Sequence, residues 1–256
     1  MQACALRGDG MVREMSNYGR SYVIIDTPEH SHTFEDFNHT EIKDLADSLS
    51  SLENSMYEDS KIKFVWINKD YGPMSSGTLS HSHWQGFGYP IMPFEIANRA
   101  RIAKKFMRSK GECLMEHALS IEGPRVPFRS KNIVAFAPFA SLYTGESIVL
   151  PNEHAPRFGM LGEETRYELL DACARIVRAN NSIFGEHSYN ILFYGLKDDK
   201  AFHTYAEIIP RLGHLGPMQF AGVYGSNLIP EDYAEMIRRA DSDRLSKEQG
   251  TSSRYE

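Results

Sequence analysis

Apolar residues near the start of the chain recur at the spacing of one helix face. Positions 42, 45, 49, 52 and 56 carry Ile, Leu, Leu, Leu and Met, and this spacing brings their side chains together because about 3.6 residues complete a helical turn. Asn38 and Glu41 precede this run at the spacing of a capping box, in which two side chains bond to each other's backbone N–H groups. The pattern predicts an amphipathic helix that begins after Asn38.

The elements around this helix occur twice in the chain. Residues 22–49 and 147–177 each run from an apolar strand through Pro and Glu-His to an acidic helix start. Each is followed by a strand rich in aromatic and β-branched residues and then by a short strand. These short strands also match, since "LSHSHWQ" (79–85) is answered by "AFHTYAE" (201–207). Because order and spacing recur together, we infer a tandem duplication of one unit.

The segment between the two copies indicates where they divide. Residues 93–119 follow the pattern of a helix that starts after Pro93 and breaks near Gly111, and residues 122–132 are typical of a loop. We therefore predict an α+β protein of two units, 1–115 and 116–256, with antiparallel sheets and packed helices.

Composition narrows the class of partner. The sequence has 28 basic and 34 acidic residues, and its formal net charge of −6 does not favour binding to nucleic acid or to a membrane surface. No apolar run approaches the ~20 residues that span a bilayer, and the N-terminus lacks the apolar core of a signal peptide. Cys4, Cys113 and Cys173 form no C-x-x-C motif. We expect a cytoplasmic protein with a small-molecule partner, no disulfide framework and no self-contained cysteine zinc site.

Three polar residues that alternate along a predicted strand are the candidate chemistry. Side chains two apart share one face of a strand, so His81, His83 and Gln85 would form a row with Trp84 buried on the opposite face. A neutral imidazole can attack phosphorus at pH 7, since its ordinary pKa is about 6.5, and a Gln amide can donate to a phosphoryl oxygen. The glycines and hydroxyl side chains of residues 70–80 add donors for phosphate. A solvated strand face after a Ser/Gly hairpin turn would look similar.

Three motifs resemble the histidine-triad superfamily, and within it the galactose-1-phosphate uridylyltransferase branch. "DTPEHSHTF" (26–34), "SGTLSHSHWQ" (76–85) and "HTYAEIIPR" (203–211) are similar to that family's P-[DE]-H-[DS]-x-T, G-x-S-x-x-H-P-H-x-Q and H-x-H-x-E-x-x-P-R segments. The resemblance implies a duplicated histidine-triad-like fold. It also implies that a nucleotidyl group is transferred through a covalent histidine intermediate.

The resemblance assigns roles to individual residues. His83 would be the nucleophile, Gln85 would bind the phosphoryl group, and His81 would complete the catalytic row. His30 and His81 also fall on positions that ligate a structural zinc ion in many relatives. Nucleotide-contacting positions of the family carry Asp70, Ser76, Gly77 and Thr78, and its sugar-contacting segment carries Phe220 and Tyr224.

Departures from the family pattern affect both expected metal sites. The sequence lacks the C-x-x-C ligands of the family's N-terminal segment. The two cysteines that would bind zinc together with His30 and His81 are therefore missing, and Cys4 is a remote candidate for a third ligand. Two histidines do not make a tetrahedral site, and a hydrogen-bonded pair is the alternative to zinc.

In the second half, Tyr205 takes the position of the nucleophile and Tyr194 that of a metal ligand, and Arg99 replaces the carboxylate that the first half contributes to the metal site. Only Glu207 is retained there, so we predict no metal at those positions and one catalytic row per chain.

The resulting hypothesis is a nucleotidyltransferase. It would move UMP or AMP between a nucleoside diphosphate sugar and a sugar 1-phosphate or phosphate, without an organic cofactor and in a chain that could form a homodimer. One alternative is a phosphorylase or hydrolase of dinucleotides or nucleotide sugars that uses the same intermediate. Another is a nucleotide-binding protein without catalysis.

Overall fold

The computed structural model describes residues 7, 8, 11, 14–77, 79–214 and 216–252, the last nine of them by their backbone. None of the helices in these ranges is long and apolar enough to cross a membrane. The strands and helices are β1 (Arg20–Ile25), α1 (His39–Glu58), β2 (Phe64–Tyr71), β3 (His83–Tyr89), α2 (Phe94–Lys110), α3 (Leu114–Ser120), β4 (Phe128–Arg129), β5 (Ile133–Phe136), β6 (Ser147–Pro151), α4 (Glu163–Phe184), β7 (Ser188–Tyr194), β8 (Tyr205–Arg211), α5 (Pro217–Phe220) and α6 (Pro230–Ser252).

These strands join one antiparallel sheet in the order β1-β3-β2-β7-β8-β6-β5-β4. The order is symmetric about the β2–β7 contact, since β1, β3 and β2 on one side correspond to β6, β8 and β7 on the other. In each half one helix connects corresponding strands, α1 between β1 and β2 and α4 between β6 and β7. The predicted α+β fold and its duplication are confirmed. The two predicted sheets are continuous, because β2 pairs with β7, and the division at residue 115 stays a prediction.

Helix α1 begins where the capping box places it. Asn38 Oδ1 accepts hydrogen bonds from the N–H groups of Thr40 and Glu41 at 2.9 and 3.1 Å, and Glu41 Oε2 accepts one from the Asn38 N–H at 2.7 Å. The predicted apolar face of the helix packs into the main core. Its approach to β3 depends on Gly86, because a Cβ at that position would lie 2.7 Å from Leu52 Cδ2. Helix α1 therefore supports β3 directly.

Helix α2 packs on the opposite face of the sheet. The predicted break is confirmed, because Gly111 adopts a φ of +76° at the end of α2, in the left-handed region that glycine tolerates. Ile96 and Ala103 of α2 are buried in a second apolar cluster that includes Phe64 of β2. Side chains alternate along a strand, so Asp70 of β2 lies on this same face, beyond the part that α2 covers.

A buried ion pair connects the three strands around the candidate row. Nζ of Lys69, whose side chain is 1% exposed, donates to Oδ2 of Asp26 and to Oγ of Ser82, each at 2.8 Å. It also donates to the backbone oxygen of His83 at 3.2 Å. Burial lowers the pKa of Lys69, and the Asp26 carboxylate opposes this shift. The peptide that carries His83 is thereby tied to β2 and to the end of β1.

Asp26→Asn keeps the shape of this carboxylate but removes the charge that faces Lys69. A buried charge that loses its partner costs about 3–5 kcal/mol, so we expect the free energy of unfolding to fall by about that amount in urea denaturation followed by circular dichroism. The control is Lys43→Ala, which breaks an exposed ion pair with Glu163 and should leave the urea midpoint nearly unchanged. A wild-type midpoint for Asp26→Asn would contradict the structural role of the pair.

Candidate active site

Strand β3 places His83 and Gln85 on one face of the sheet and Trp84 on the other. Trp84 is fully buried, and its ring meets Phe34 edge-on with the centroids 5.4 Å apart. The predicted alternation therefore holds from His83 to Gln85. It does not extend to His81, because β3 begins at His83 and His81 lies in the preceding loop.

Hydrogen bonds define the proton position on the His83 ring. Its Nδ1 lies 2.8 Å from the backbone oxygen of His81, and its Nε2 lies 3.2 Å from Nε2 of Gln85. A carbonyl oxygen only accepts hydrogen bonds, so Nδ1 carries the proton and the lone pair of Nε2 receives the Gln85 amide N–H. His83 is 2% exposed and lies at the base of a cavity. Its ring is thus held in one orientation.

Two amides hold the carboxylate of Asp70 on the same face. Asn68 Nδ2 donates to Asp70 Oδ2 at 2.8 Å, and Asn190 Nδ2 donates to Asp70 Oδ1 at 2.6 Å and to the Ser75 backbone oxygen at 3.1 Å. Asp70 faces Asn190 across the β2–β7 pairing, and Asn68 faces Gln85 across the β2–β3 pairing. The buried Oδ1 of Asn68 has no partner among the described groups. This leaves an acceptor for a ligand hydroxyl or a water.

The loop between β2 and β3 is anchored on the second half of the chain. Gly72 has a φ of +78°, and a Cβ at this position would overlap the side chain of Ser188. The same Ser188 hydroxyl accepts a hydrogen bond from the Met74 N–H at 3.1 Å. Among the predicted nucleotide-contacting loop residues, Ser76 has a left-handed φ of +69°, Gly77 lines the cavity at His83, and Thr78 lies outside the described residues.

The cavity at His83 has a volume of about 810 Å³ and takes its walls from both halves, within the usual range for small-molecule sites. Asp70 and His81 also line it, and their roles in the site stay predictions. From the second half come Glu186, His187, Ser188 and Arg211, none of which was predicted from the sequence. Of these four, only Arg211 could have been identified from the sequence, because it ends the motif "HTYAEIIPR". The hydrogen bond from Lys69 to the backbone oxygen of His83 could not be predicted from the sequence, because it depends on which strands become neighbours.

The two predicted sugar-contacting residues lie elsewhere. Phe220 is 81% exposed at the end of α5. Tyr224 lines a second cavity of about 610 Å³, where its ring meets Tyr143 edge-on with the centroids 5.7 Å apart. Neither residue lines the cavity at His83, so their role in substrate binding stays a prediction.

His81 contacts the histidine with which the resemblance pairs it. The Nδ1 atoms of His81 and His30 lie 2.8 Å apart, and Nε2 of His81 lies 2.6 Å from the backbone oxygen of Thr27. Within the described part of the chain, no third His, Cys, Asp or Glu donor joins this pair, and Cys4 lies outside that part. The structure shows a hydrogen-bonded pair, and zinc at this position stays a prediction.

The second half presents different chemistry at the equivalent positions. Tyr205 begins β8 as His83 begins β3. Its hydroxyl accepts a hydrogen bond from Nη1 of Arg99 at 2.5 Å, and the Arg99 guanidinium lies 4.5 Å from the ring centroid of Tyr194. The rings of Tyr194 and Tyr205 stack on each other with their centroids 4.7 Å apart, so a tyrosine pair bound by an arginine takes the place of a histidine row.

Glu207, at the position equivalent to Gln85, lies beside a second buried carboxyl group. Burial, reinforced by the Glu207 carboxylate, raises the pKa of Glu146 to about 8, so the pair holds a proton at pH 7. Glu146 also accepts hydrogen bonds from the N–H groups of Leu142 and Tyr143. This arrangement offers no nucleophilic imidazole.

Four side chains that could hold a metal ion converge, Cys113 at the end of the first unit and the other three in the second. Cys113 Sγ, a Glu116 carboxylate oxygen and ring nitrogens of His154 and His203 all lie within 4.8 Å of one another. The Nδ1 atom of His154 lies 3.1 Å from Glu116, and that of His203 lies 3.6 Å from Cys113. The second nitrogens of both rings bond backbone oxygens at 3.1 and 3.2 Å, a common orientation for metal-binding histidines. One sulfur, two nitrogens and one oxygen fit zinc.

This cluster was not predicted from the sequence, where the absence of C-x-x-C argued against a cysteine zinc site. The available signal was a C-x-x-E spacing from Cys113 to Glu116, combined with the duplicated histidines His154 and His203. Burial lowers the pKa of His203 to about 4, so its ring is neutral at pH 7 and able to bind a metal. Burial raises the pKa of the Cys113 thiol, and a bound metal would favour its thiolate.

Comparisons with known proteins agree with the fold and with the motifs. Residues 4–93 match the family model for the N-terminal domain of galactose-1-phosphate uridyl transferase. The chain is 25% identical over 236 residues to an ADP-glucose phosphorylase of Arabidopsis thaliana, which covers 90% of this chain and 67% of the relative. It is 19% identical over 246 residues to a galactose-1-phosphate uridylyltransferase of Thermotoga maritima, which covers 91% of this chain and 77% of the relative.

A solved uridylyltransferase structure has the same fold, with a TM-score of 0.86 at 20% identity over 93% of this chain and 80% of that one. The sequence matches and the fold agree: the chain is similar to galactose-1-phosphate uridylyltransferases and to ADP-glucose phosphorylase.

Proposed function

We propose that the chain transfers a nucleotidyl group from a nucleoside diphosphate sugar to an acceptor that carries a phosphate. Nε2 of His83 attacks the α-phosphorus and forms a phosphorus–nitrogen bond, while the bond from that phosphorus to the bridging oxygen breaks. The bridging oxygen leaves with the β-phosphorus and the sugar as a sugar 1-phosphate. An oxygen of the acceptor phosphate then attacks the α-phosphorus, the phosphorus–nitrogen bond breaks, and its electron pair returns to Nε2.

The hydrogen bond from His83 Nδ1 to the His81 backbone oxygen carries this proposal. It leaves the lone pair on Nε2, the nitrogen that lies next to Gln85. Attack on phosphorus makes the ring cationic, and the carbonyl that accepts from Nδ1 stabilises that charge. The same bond keeps the nucleotidyl-histidine a good donor for the second step, because the ring leaves as a neutral imidazole.

Gln85 supports transfer in preference to hydrolysis. Its amide N–H can turn from the His83 lone pair to a phosphoryl oxygen as charge shifts onto that oxygen. A Gln side chain supplies no titrating acid or base with which to activate water. The intermediate is therefore left for a phosphate-bearing acceptor.

The remaining walls of the cavity suit a nucleotide. The Asp70 carboxylate, fixed by Asn68 and Asn190, can accept hydrogen bonds from ribose hydroxyls. Arg211 lines the cavity from β8 and can form charge-assisted hydrogen bonds to phosphate oxygens. We propose these two residues as the ribose and phosphate contacts.

Inorganic phosphate is the acceptor that we favour, with an adenylyl donor. The support is the relative at 25% identity, which is an ADP-glucose phosphorylase. A sugar 1-phosphate acceptor with a uridylyl donor is the second candidate, and the galactose-1-phosphate uridylyltransferase at 19% identity supports it. Both reactions use the same intermediate on His83.

His83→Ala removes the proposed nucleophile. Intact-mass spectrometry of the wild-type chain with ADP-glucose or UDP-glucose should show the addition of one nucleotidyl group, and this addition should be absent in His83→Ala. Turnover in that variant should fall by about three orders of magnitude or more. Gln85→Ala should still form the adduct, at a rate lower by about 10²–10³-fold.

The matched control is His39→Ala, which removes an exposed histidine of α1 and should form the adduct at the wild-type rate. No addition with either donor would refute the covalent route. An addition that persists in His83→Ala would refute the choice of nucleophile.

We also propose that Cys113, Glu116, His154 and His203 hold a structural zinc ion. The cluster joins the start of α3, the segment after β6 and the segment before β8. Zinc bound there would cross-link these segments and stabilise the second half of the sheet. The ion has no part in the proposed phosphorus chemistry.

Elemental analysis of protein purified without added metal tests this site. We expect about one zinc ion per chain, with most of it lost in His203→Ala and a lower thermal midpoint after chelation. His30→Ala serves as the control, because it removes a histidine of the other pair and should leave the zinc content unchanged. Metal-free wild-type protein, or loss of zinc in His30→Ala alone, would contradict the assignment.

A further inference from the structure

Helix α2 has a cationic face that the proposed transfer does not use. Arg101, Lys104, Lys105 and Arg108 lie on one side of the helix, because residues three and four apart are neighbours, and all four are exposed. Ile96 is buried on another side of the same helix. The chain as a whole has a net charge of −6. This side of α2 is therefore locally positive although the chain as a whole is negatively charged.

This face forms one wall of a further cavity, distinct from those at His83 and at Tyr224, which we call the α2 cavity. Its volume of about 810 Å³ equals that of the cavity at His83. Lys63, just before β2, and Lys197, just after β7, bring the number of cationic side chains in its lining to six. Two aspartates line it as well, and one of them, Asp199, pairs with Lys104 at 2.8 Å. The apolar part of the lining consists of Met92, Ala97, Ala100 and Leu196.

Most of these cations retain donors for a ligand. Neither the Lys105 nor the Arg108 side chain has a hydrogen bond or ion pair with a described residue of the chain. Lys63 and Lys197 each use one donor on a backbone oxygen, at 2.9 and 2.8 Å. An ammonium group has three donors and a guanidinium group has five. The α2 cavity thus has more positive charge and more N–H groups than the protein itself satisfies.

We propose that the α2 cavity is a binding site for a nucleoside polyphosphate, separate from the site at His83. A chain of two or more phosphates complements the cationic wall through charge-assisted hydrogen bonds. The apolar lining accommodates the base, as small-molecule sites combine apolar surface with a few placed polar groups. The volume of this open cavity fits a small molecule. The site does not depend on the proposed transfer reaction, because it shares no lining residue with the cavity at His83.

Photolabelling of the full chain with 8-azido-ATP, followed by peptide mapping, tests the site. We expect label on peptides from residues 92–109 or 196–199, distinct from any label on residues 69–83. Inorganic tripolyphosphate should reduce the α2-cavity label, and adenosine alone should not, because the phosphates supply most of the attraction. The label should also weaken as salt is raised.

Charge reversal on α2 gives a matched comparison. Lys105→Glu should lower the α2-cavity label about tenfold or more. Lys110→Glu makes the same kind of change on the same helix but outside the cavity lining, and its label should stay within about twofold of wild type. Both variants alter exposed side chains, and circular dichroism should show a wild-type fold for each.

Three outcomes would overturn the proposal. Label confined to residues 69–83 would mean that the nucleotide binds only at His83. An equal loss of label in Lys110→Glu would indicate a diffuse charge effect and not a site. Displacement by a single-stranded RNA at concentrations where tripolyphosphate has no effect would indicate a nucleic-acid surface.

Discussion

Five residue pairs between β2 and β7 join the two halves of the chain into one sheet, and the candidate active site depends on this contact. It brings the Asn190 amide into hydrogen-bonding distance of the Asp70 carboxylate. It also brings the Ser188 hydroxyl to the loop that follows β2, where it accepts a hydrogen bond from the Met74 N–H. Each unit alone would leave an edge strand unpaired. In the duplicated chain the edge strands β2 and β7 form backbone hydrogen bonds with each other. The cavity at His83 lies at this junction and is lined by residues of both halves.

The two halves share one topology but differ in chemistry. On the first half, β3 carries His83 and Gln85 over a buried Lys69–Asp26 pair that bonds to the His83 peptide. Breaking such a pair costs several kcal/mol, so the position of the proposed nucleophile is strongly defined. The second half carries a buried carboxyl pair that holds a proton, and a tyrosine pair bound by Arg99 of α2, in place of the histidine row. The candidate metal site at Cys113 includes His154 and His203, the copies of the other histidine pair. Duplication therefore separates the proposed catalysis from the proposed stabilisation by metal.

Local signals in the sequence determined most of the fold. The capping box at Asn38, the glycine at 111 and the repeated strand–helix–strand order are each encoded within a few dozen residues, and each is confirmed. The continuity of the sheet could not be predicted, because it depends on which edges pair. For the same reason Ser188, Asn190 and Arg211 were missed, since they reach the site from more than a hundred residues away. The cluster at Cys113 was missed because a carboxylate replaces the cysteine that a familiar motif would show.

The passage of the nucleotidyl group through His83 is the central claim, and isotope exchange tests it most directly. With ADP-glucose, labelled glucose 1-phosphate and no other acceptor, reversal of the first step alone moves label into ADP-glucose. We predict that wild-type protein catalyses this exchange and that His83→Ala does not. Net turnover of ADP-glucose with phosphate in the absence of any exchange would mean that the acceptor attacks the donor directly, and it would contradict the covalent account.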